Sequence, residues 1–375
     1  MQIENKIRGS LIGGAIGDAL GYPVEFLSEN QIFAIYGKDG ITSYGTDDKT
    51  GKAQISDDTQ MTLFTANGLL VGETRQRLRG IGGIPHVYIP YSYRDWYFTQ
   101  EMTYEEFREK RENGYQCTSW LCDIRELFNI RAPGNTCISV TSRDRFGSVG
   151  EPVNDSKGCG GIMRVAPLAL HYGSMSIGEL DMEAAEIAAL THGHSLGFMP
   201  AAVLNHILSR IVYHNRRGDS LKEIVLDARD KVHQLFEKDK HIEYLVELIT
   251  MAVDLSENSN DDIQNIHELG EGWVAEETLA IAIYCSLKYQ NDFSKGIIAA
   301  VNHNGDSDST GAVTGNILGA WLGFDMIEEK WKKNLELFEV IDEMALDLFH
   351  GCEMTENEHF VDEIWKRKYV DMRRK

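Results

Sequence analysis

Apolar residues recur at helical spacing along most of this 375-residue chain, and that single pattern excludes most fold classes. The segments Tyr104 to Arg111, Trp120 to Phe128, Ile177 to Leu190, Met199 to Val212, Leu221 to Phe236, Tyr244 to Leu255, Glu276 to Tyr289 and Leu335 to Leu348 all repeat with it. Period-two alternation is scarce, and only Cys137 to Thr141 reads as a strand. An all-α protein follows. No Pro/Ser-rich linker or low-complexity tract divides the chain, so residues 1–375 are expected to form one domain. Irregular chain is expected at Arg131 to Gly161, at Ser256 to Gly272, and in an aromatic-rich insertion around residues 78–100. The insertion carries Gly80, Gly82, Gly83, Pro85 and Pro90 before Tyr91, Tyr93, Trp96, Tyr97 and Phe98.

Composition then removes whole classes of function. Acidic side chains outnumber basic ones to a net charge of −21, which repels a phosphate backbone, so neither general nucleic-acid binding nor an anionic membrane surface is expected. Runs such as Ile281 to Leu287 and Ala312 to Leu322 fall short of the roughly 18 apolar residues of a spanning helix. The first residues, Met1 to Arg8, lack the apolar core of a secretory signal, and a cytoplasmic location is expected. The six cysteines form no CxxC pair and are expected to be reduced. No His or Cys cluster has zinc-ligand spacing.

Two short acidic segments are the most informative chemically. Ser56-Asp57-Asp58-Thr59 precedes a helical run and reads as a helix start. Gly305-Asp306-Ser307-Asp308-Ser309-Thr310 opens a second helix, on which Gly311, Gly315 and Gly319 lie four apart and admit a close neighbouring backbone. Two readings stand at this point. The acids are ordinary helix caps, or they converge as an all-oxygen ligand set whose four negative charges balance two hard divalent cations.

Four ordered blocks resemble the ADP-ribosylglycohydrolase family. They are Gly13-Gly14-Ala15-Ile16-Gly17-Asp18-Ala19-Leu20-Gly21 with Glu25, then Ser56-Asp57-Asp58-Thr59, Gly158-Cys159-Gly160-Gly161-Ile162-Met163-Arg164-Val165-Ala166-Pro167, and Gly305-Asp306-Ser307-Asp308-Ser309. The resemblance implies a compact orthogonal helical bundle with two Mg²⁺ or Mn²⁺ ions on Ser56, Asp57, Asp58, Asp306, Asp308 and Ser309, and Glu25 as catalytic acid/base. It also implies substrate contacts from Gly158, Cys159, Gly160, Gly161 and Met163, from His192 after Thr191, and from Trp273. Cys159 stands where the commoner family pattern has asparagine. The implied activity is hydrolytic release of ADP-ribose from modified protein side chains, arginine first among them. The alternative is an immunity or regulatory protein that binds and blocks an ADP-ribosyltransferase toxin.

Overall fold

The structure, a computed structural model, describes residues 2–80, 83–215, 217–355 and 360–374. No strand occurs among the described residues; a few isolated bridges join loops, one of them between Gly158 and Val274. The helices that position the cleft are α1 (Ile3–Gly21), α2 (Asp57–Arg79), α3 (Ile89–Glu101), α4 (Asn135–Ser142), α5 (Ile177–Ala189), α6 (Ser195–Ser209), α7 (Ala275–Lys288) and α8 (Ser307–Leu322).

Packing of α1 against α8 sets the centre of the molecule. Gly9, Gly13 and Gly17 of α1 face Gly319, Gly315 and Gly311 of α8 in antiparallel order, and a Cβ at Gly311 would lie 2.5 Å from the Gly17 carbonyl oxygen. Only glycine permits this backbone-to-backbone approach. Its consequence is positional: the acidic start of α8 is held beside the end of α1 and the turn that carries Glu25. The other acidic helix starts as its sequence dictates. The Ser56 hydroxyl accepts the Asp58 N–H at 3.1 Å, acids occupy the first turn of α2 and Arg77 and Arg79 the last, and Gly80 ends the helix in the left-handed conformation at φ 60°.

Several expectations are corrected. Cys137 to Thr141 lies within α4 rather than a strand, because its β-branched residues sit on a turn whose helical neighbours bury Cys137, Val140 and Thr141. Trp120 to Phe128 forms two 3₁₀ turns, Trp120–Asp123 and Arg125–Leu127, instead of an α-helix. The supposed insertion at 78–100 is mostly helical. α2 runs to Arg79, Pro85–Tyr88 is a 3₁₀ turn, and the aromatic stretch is α3, with Pro90 in its first turn and Tyr93 and Trp96 buried three apart. Gly82 lies outside the described residues. The acidic stretch Ser256 to Gly272 contains a helix, Asp262–Leu269.

One helical segment among the described residues, Ser195–His214, is long and apolar enough to cross a membrane. An 18-residue stretch of it has a mean hydropathy of 1.2 and is 89% buried inside the molecule, as expected for a core helix.

Candidate active site

The two acidic helix starts meet. Asp57 and Asp58 from α2, Asp306, Asp308 and Ser309 from the start of α8, and Glu25 from the turn after α1 all line one cleft of about 320 Å³. Ligand atoms of Glu25, Asp306 and Asp308 lie within 4.8 Å of one another. Each helix start is fixed by its own loop. Gly305, at φ 106°, turns the chain so that the Asp306 N–H donates to the Glu271 carbonyl at 2.8 Å. Ahead of α2, the Asp57 N–H donates to the Arg131 carbonyl at 3.0 Å, and Arg131 pairs with Glu336 at 2.8 Å in a buried salt bridge.

A cluster of buried carboxylates raises its own pKa values. Burial first, and the neighbouring carboxylates second, hold Asp58 and Asp308 well above the usual carboxylate range; burial does the same to Asp57. Glu25 is pushed up to about 9 by burial and then by the charges of Asp306, Asp57 and Asp18. Two buried oxygens in the cleft, Oε2 of Glu25 and Oδ2 of Asp58, have no hydrogen-bond partner. Convergent all-oxygen donors, excess negative charge and orphaned carboxylate oxygens together fit a hard divalent cation, since such an ion relieves all three conditions.

The remaining expected residues divide. Gly158, Cys159, Gly160, Met163, His192 and Trp273 line the cleft. Ser56 does not: fully buried, it caps α2 and donates its own N–H to Asp18. Gly161 lies behind the wall, where a Cβ would sit 3.0 Å from the Gly197 carbonyl oxygen and 3.1 Å from the Ala188 side chain. Within the glycine block, a 3₁₀ helix over Cys159–Arg164, the Cys159 N–H is already committed to the Trp273 carbonyl at 3.2 Å. The Cys159 thiol donates to Asp306 Oδ2 at 2.7 Å. Burial and the nearby Arg164 guanidinium lower His192 to about 3, so its imidazole is neutral, with Nδ1 2.8 Å from the Thr191 hydroxyl. Trp273 is 40% exposed and stacks on Phe26 at 6.1 Å, which makes it part of the cleft rim and not of the core.

Sequence reasoning left several contributors unassigned. Asp18, fully buried in α1, accepts the N–H groups of Ser56 at 3.0 Å and Thr59 at 3.1 Å and the Thr59 hydroxyl, so it locks the start of α2 onto α1. Burial raises it to about 6 against those hydrogen bonds. The available signal was an acid inside the small-residue run Gly13 to Gly21. The start of α4 also opens on the cleft through Gly134, Asn135 and Thr136; the Gly134 N–H donates to Asp57 Oδ2 at 3.3 Å, and its N-cap, a glycine, has no side chain to cap the N–H groups that follow. A helix start in this state presents backbone N–H groups to an anion.

Fold and cleft define a class: a helical protein with a cradle of carboxylates at the base of a sugar-sized hollow and an aromatic pair at its rim. A family model described as ADP-ribosylglycohydrolase matches residues 1–358, and the chain belongs to that family, whose members release ADP-ribose from modified targets. It is 25% identical over 374 residues to the ADP-ribosylhydrolase ARH3 of Mus musculus, covering 92% of this chain and 91% of that one. It is equally 25% identical over 343 residues to the ADP-ribosyl-[dinitrogen reductase] glycohydrolase of Rhodospirillum rubrum, covering 89% and 92%. A solved ADP-ribosylglycohydrolase-related protein complex shares the fold with a TM-score of 0.58 at 24% identity, over 93% of this chain and 98% of that one.

Proposed function

We propose that this chain hydrolyses the bond between C1″ of ADP-ribose and a protein side chain, with arginine as the acceptor. In this reading two Mg²⁺ or Mn²⁺ ions are held by Asp57, Asp58, Asp306, Asp308 and Ser309. The observation that carries the reading is the meeting of both acidic helix starts with Glu25 in one cleft, with Oε2 of Glu25 and Oδ2 of Asp58 lacking partners. Such ions supply Lewis-acid charge for gripping ribose hydroxyls.

The chain's own residues do the rest. The transition state of glycoside cleavage is oxocarbenium-like, so the leaving group needs a proton and the incoming water must lose one. Glu25, protonated near neutral pH before ligands enter, holds a carboxyl proton for the leaving nitrogen and afterwards takes one from the attacking water. The start of α4 offers the N–H groups that follow Gly134 to the diphosphate. The Phe26 and Trp273 rings give a planar, cationic guanidinium a stacking surface at the rim of a strongly acidic molecule, and this favours arginine over a neutral acceptor.

The test is release of ADP-ribose from arginine-linked and serine-linked substrates side by side, with and without chelator. Release from the arginine substrate that is lost with chelator and in Asp57→Ala and Asp306→Ala supports the reading. Full activity in both variants eliminates the cation-centred mechanism, and selective release from serine reverses the acceptor.

A further inference from the structure

Two cysteines stand together away from the cleft. The sulfurs of Cys117 and Cys122 and a carboxylate oxygen of Asp95, on α3, lie within 4.8 Å of one another, and none of the three residues lines the cleft. Cys117 is half-buried, whereas Cys122, in the 3₁₀ turn Trp120–Asp123, is 1% exposed. The cluster has the composition of a metal site but not its electrostatics. Asp95 already accepts the Tyr115 hydroxyl at 2.7 Å, the Thr118 N–H at 2.7 Å and the Thr118 hydroxyl at 2.8 Å, so its oxygens are not orphaned as two in the cleft are. A cation is also in place: Arg111 pairs with Asp123, the residue after Cys122, at 2.7 Å, and its guanidinium acts on both sulfurs. A guanidinium beside two thiols repels a metal ion and favours thiolate, the reactive form of cysteine. Because the two cysteines are five positions apart, joining them closes a small loop, at less entropic cost than a long one.

We propose that Cys117 and Cys122 are a redox modification site, a dithiol that closes to a reversible intramolecular disulfide on reaction with a small disulfide such as glutathione disulfide. Cys117, the more accessible, reacts first, and Asp95 Oδ2, which accepts its S–H at 3.4 Å, is a proton acceptor at hand. The Cys117 thiolate bonds to one sulfur of glutathione disulfide, the S–S bond of the reagent breaks, and one glutathione leaves with the electron pair. The Cys122 thiolate then attacks the Cys117 sulfur and expels the second glutathione. Two cysteine thiols are oxidised, one glutathione disulfide is reduced to two thiols, and both protons end on glutathione. Burial, and then Cys117, push the Cys122 thiol up while Arg111 opposes them, which suits Cys122 to the second, intramolecular step. Cys137 and Cys159 are the competing pair. Both line the cleft, but the Cys137 sulfur accepts from the Arg164 guanidinium at 3.4 Å and the Cys159 thiol donates to Asp306 Oδ2 at 2.7 Å, so each is tied to a different partner. The inference is independent of the hydrolase reading.

The experiment incubates the folded full-length protein with glutathione disulfide, blocks the remaining thiols by alkylation and maps the cysteines by peptide mass, with and without an equimolar amount of Zn²⁺. The expected wild-type result is a Cys117–Cys122 disulfide without bound glutathione, reversed by a thiol reductant and formed equally in the presence of Zn²⁺. Cys122→Ser should instead retain glutathione on Cys117, and Cys117→Ser should leave Cys122 a free thiol. A wild type that holds glutathione stably on Cys117, that leaves both thiols free, or that links Cys137 to Cys159 in their place overturns the proposal. Zn²⁺ that shields Cys117 and Cys122 together from the reagent also overturns it, because the cluster is then a metal site. The wild-type map decides alone, so a variant that fails to fold leaves the test intact.

Discussion

Glu25→Gln should make the metal-free protein more stable while disabling it. Glu25 stands at about 9 in the folded chain against an ordinary 4.5. A raised carboxylate contributes its stability in full below the unfolded value and loses it as pH rises toward the folded value. Between pH 4.5 and 7.5 the loss accrues at about 1.4 kcal/mol per pH unit, or about 4 kcal/mol at most, and solvent at the cleft mouth reduces it to about 2–4 kcal/mol. Glutamine has the same shape, does not ionise, and can donate to the carboxylates beside it. For 375 residues the unfolding entropy is about 0.8 kcal/mol/K, so the gain corresponds to a Tm rise of about 3–5 °C at pH 7.5. The assay is thermal unfolding in chelator at pH 4.5 and at pH 7.5, with hydrolysis measured on the same preparations. The two proteins should melt together at the lower pH and separate at the higher, and kcat should fall at least about 100-fold. A variant that at pH 7.5 melts at or below the wild-type temperature refutes the claim that Glu25 is an electrostatically strained group.

Three further outcomes follow from particular contacts. Gly315→Ala places a Cβ against the Gly13 backbone, which neither helix can vacate, and should cost about 1–3 kcal/mol by chemical denaturation. Trp273→Ala should raise KM about 5- to 30-fold with kcat nearly constant, because a rim stacking surface worth about 1–2 kcal/mol is lost from ground state and transition state alike. Asp18→Ala leaves the N–H groups of Ser56 and Thr59 without acceptors deep in the core; a loss of about 2 kcal/mol or more, with weakened Mn²⁺ binding, is expected from denaturation and titration.

Helical periodicity made the fold class legible, and the glycines of α8 announced a close helix contact. Their partner stripe in α1, Gly9, Gly13 and Gly17, was equally visible in the sequence, but nothing local says that the two stripes meet. The acids at 57, 58, 306 and 308 stood out because each lies beside a hydroxyl residue at a helix start; whether they were caps or neighbours was decided by long-range packing. Asp18 was hidden for the same reason, since its partners lie about forty residues away. Local propensity misled at Cys137 to Thr141, where β-branched residues serve a helix end, and at Trp120 to Phe128, where apolar spacing suits consecutive 3₁₀ turns as well as one helix. Trp273 carried no signal for rim or core, because exposure depends on which loops surround it, and Phe26 matters only through Trp273.

Calorimetric titration of the metal-free protein with Mn²⁺ probes the convergence of the two helix starts most directly. Two ions per wild-type chain, with binding lost in Asp58→Asn and in Asp308→Asn although they lie on different helices, is the predicted result. No uptake by the wild type, or uptake undisturbed by either substitution, would contradict the account.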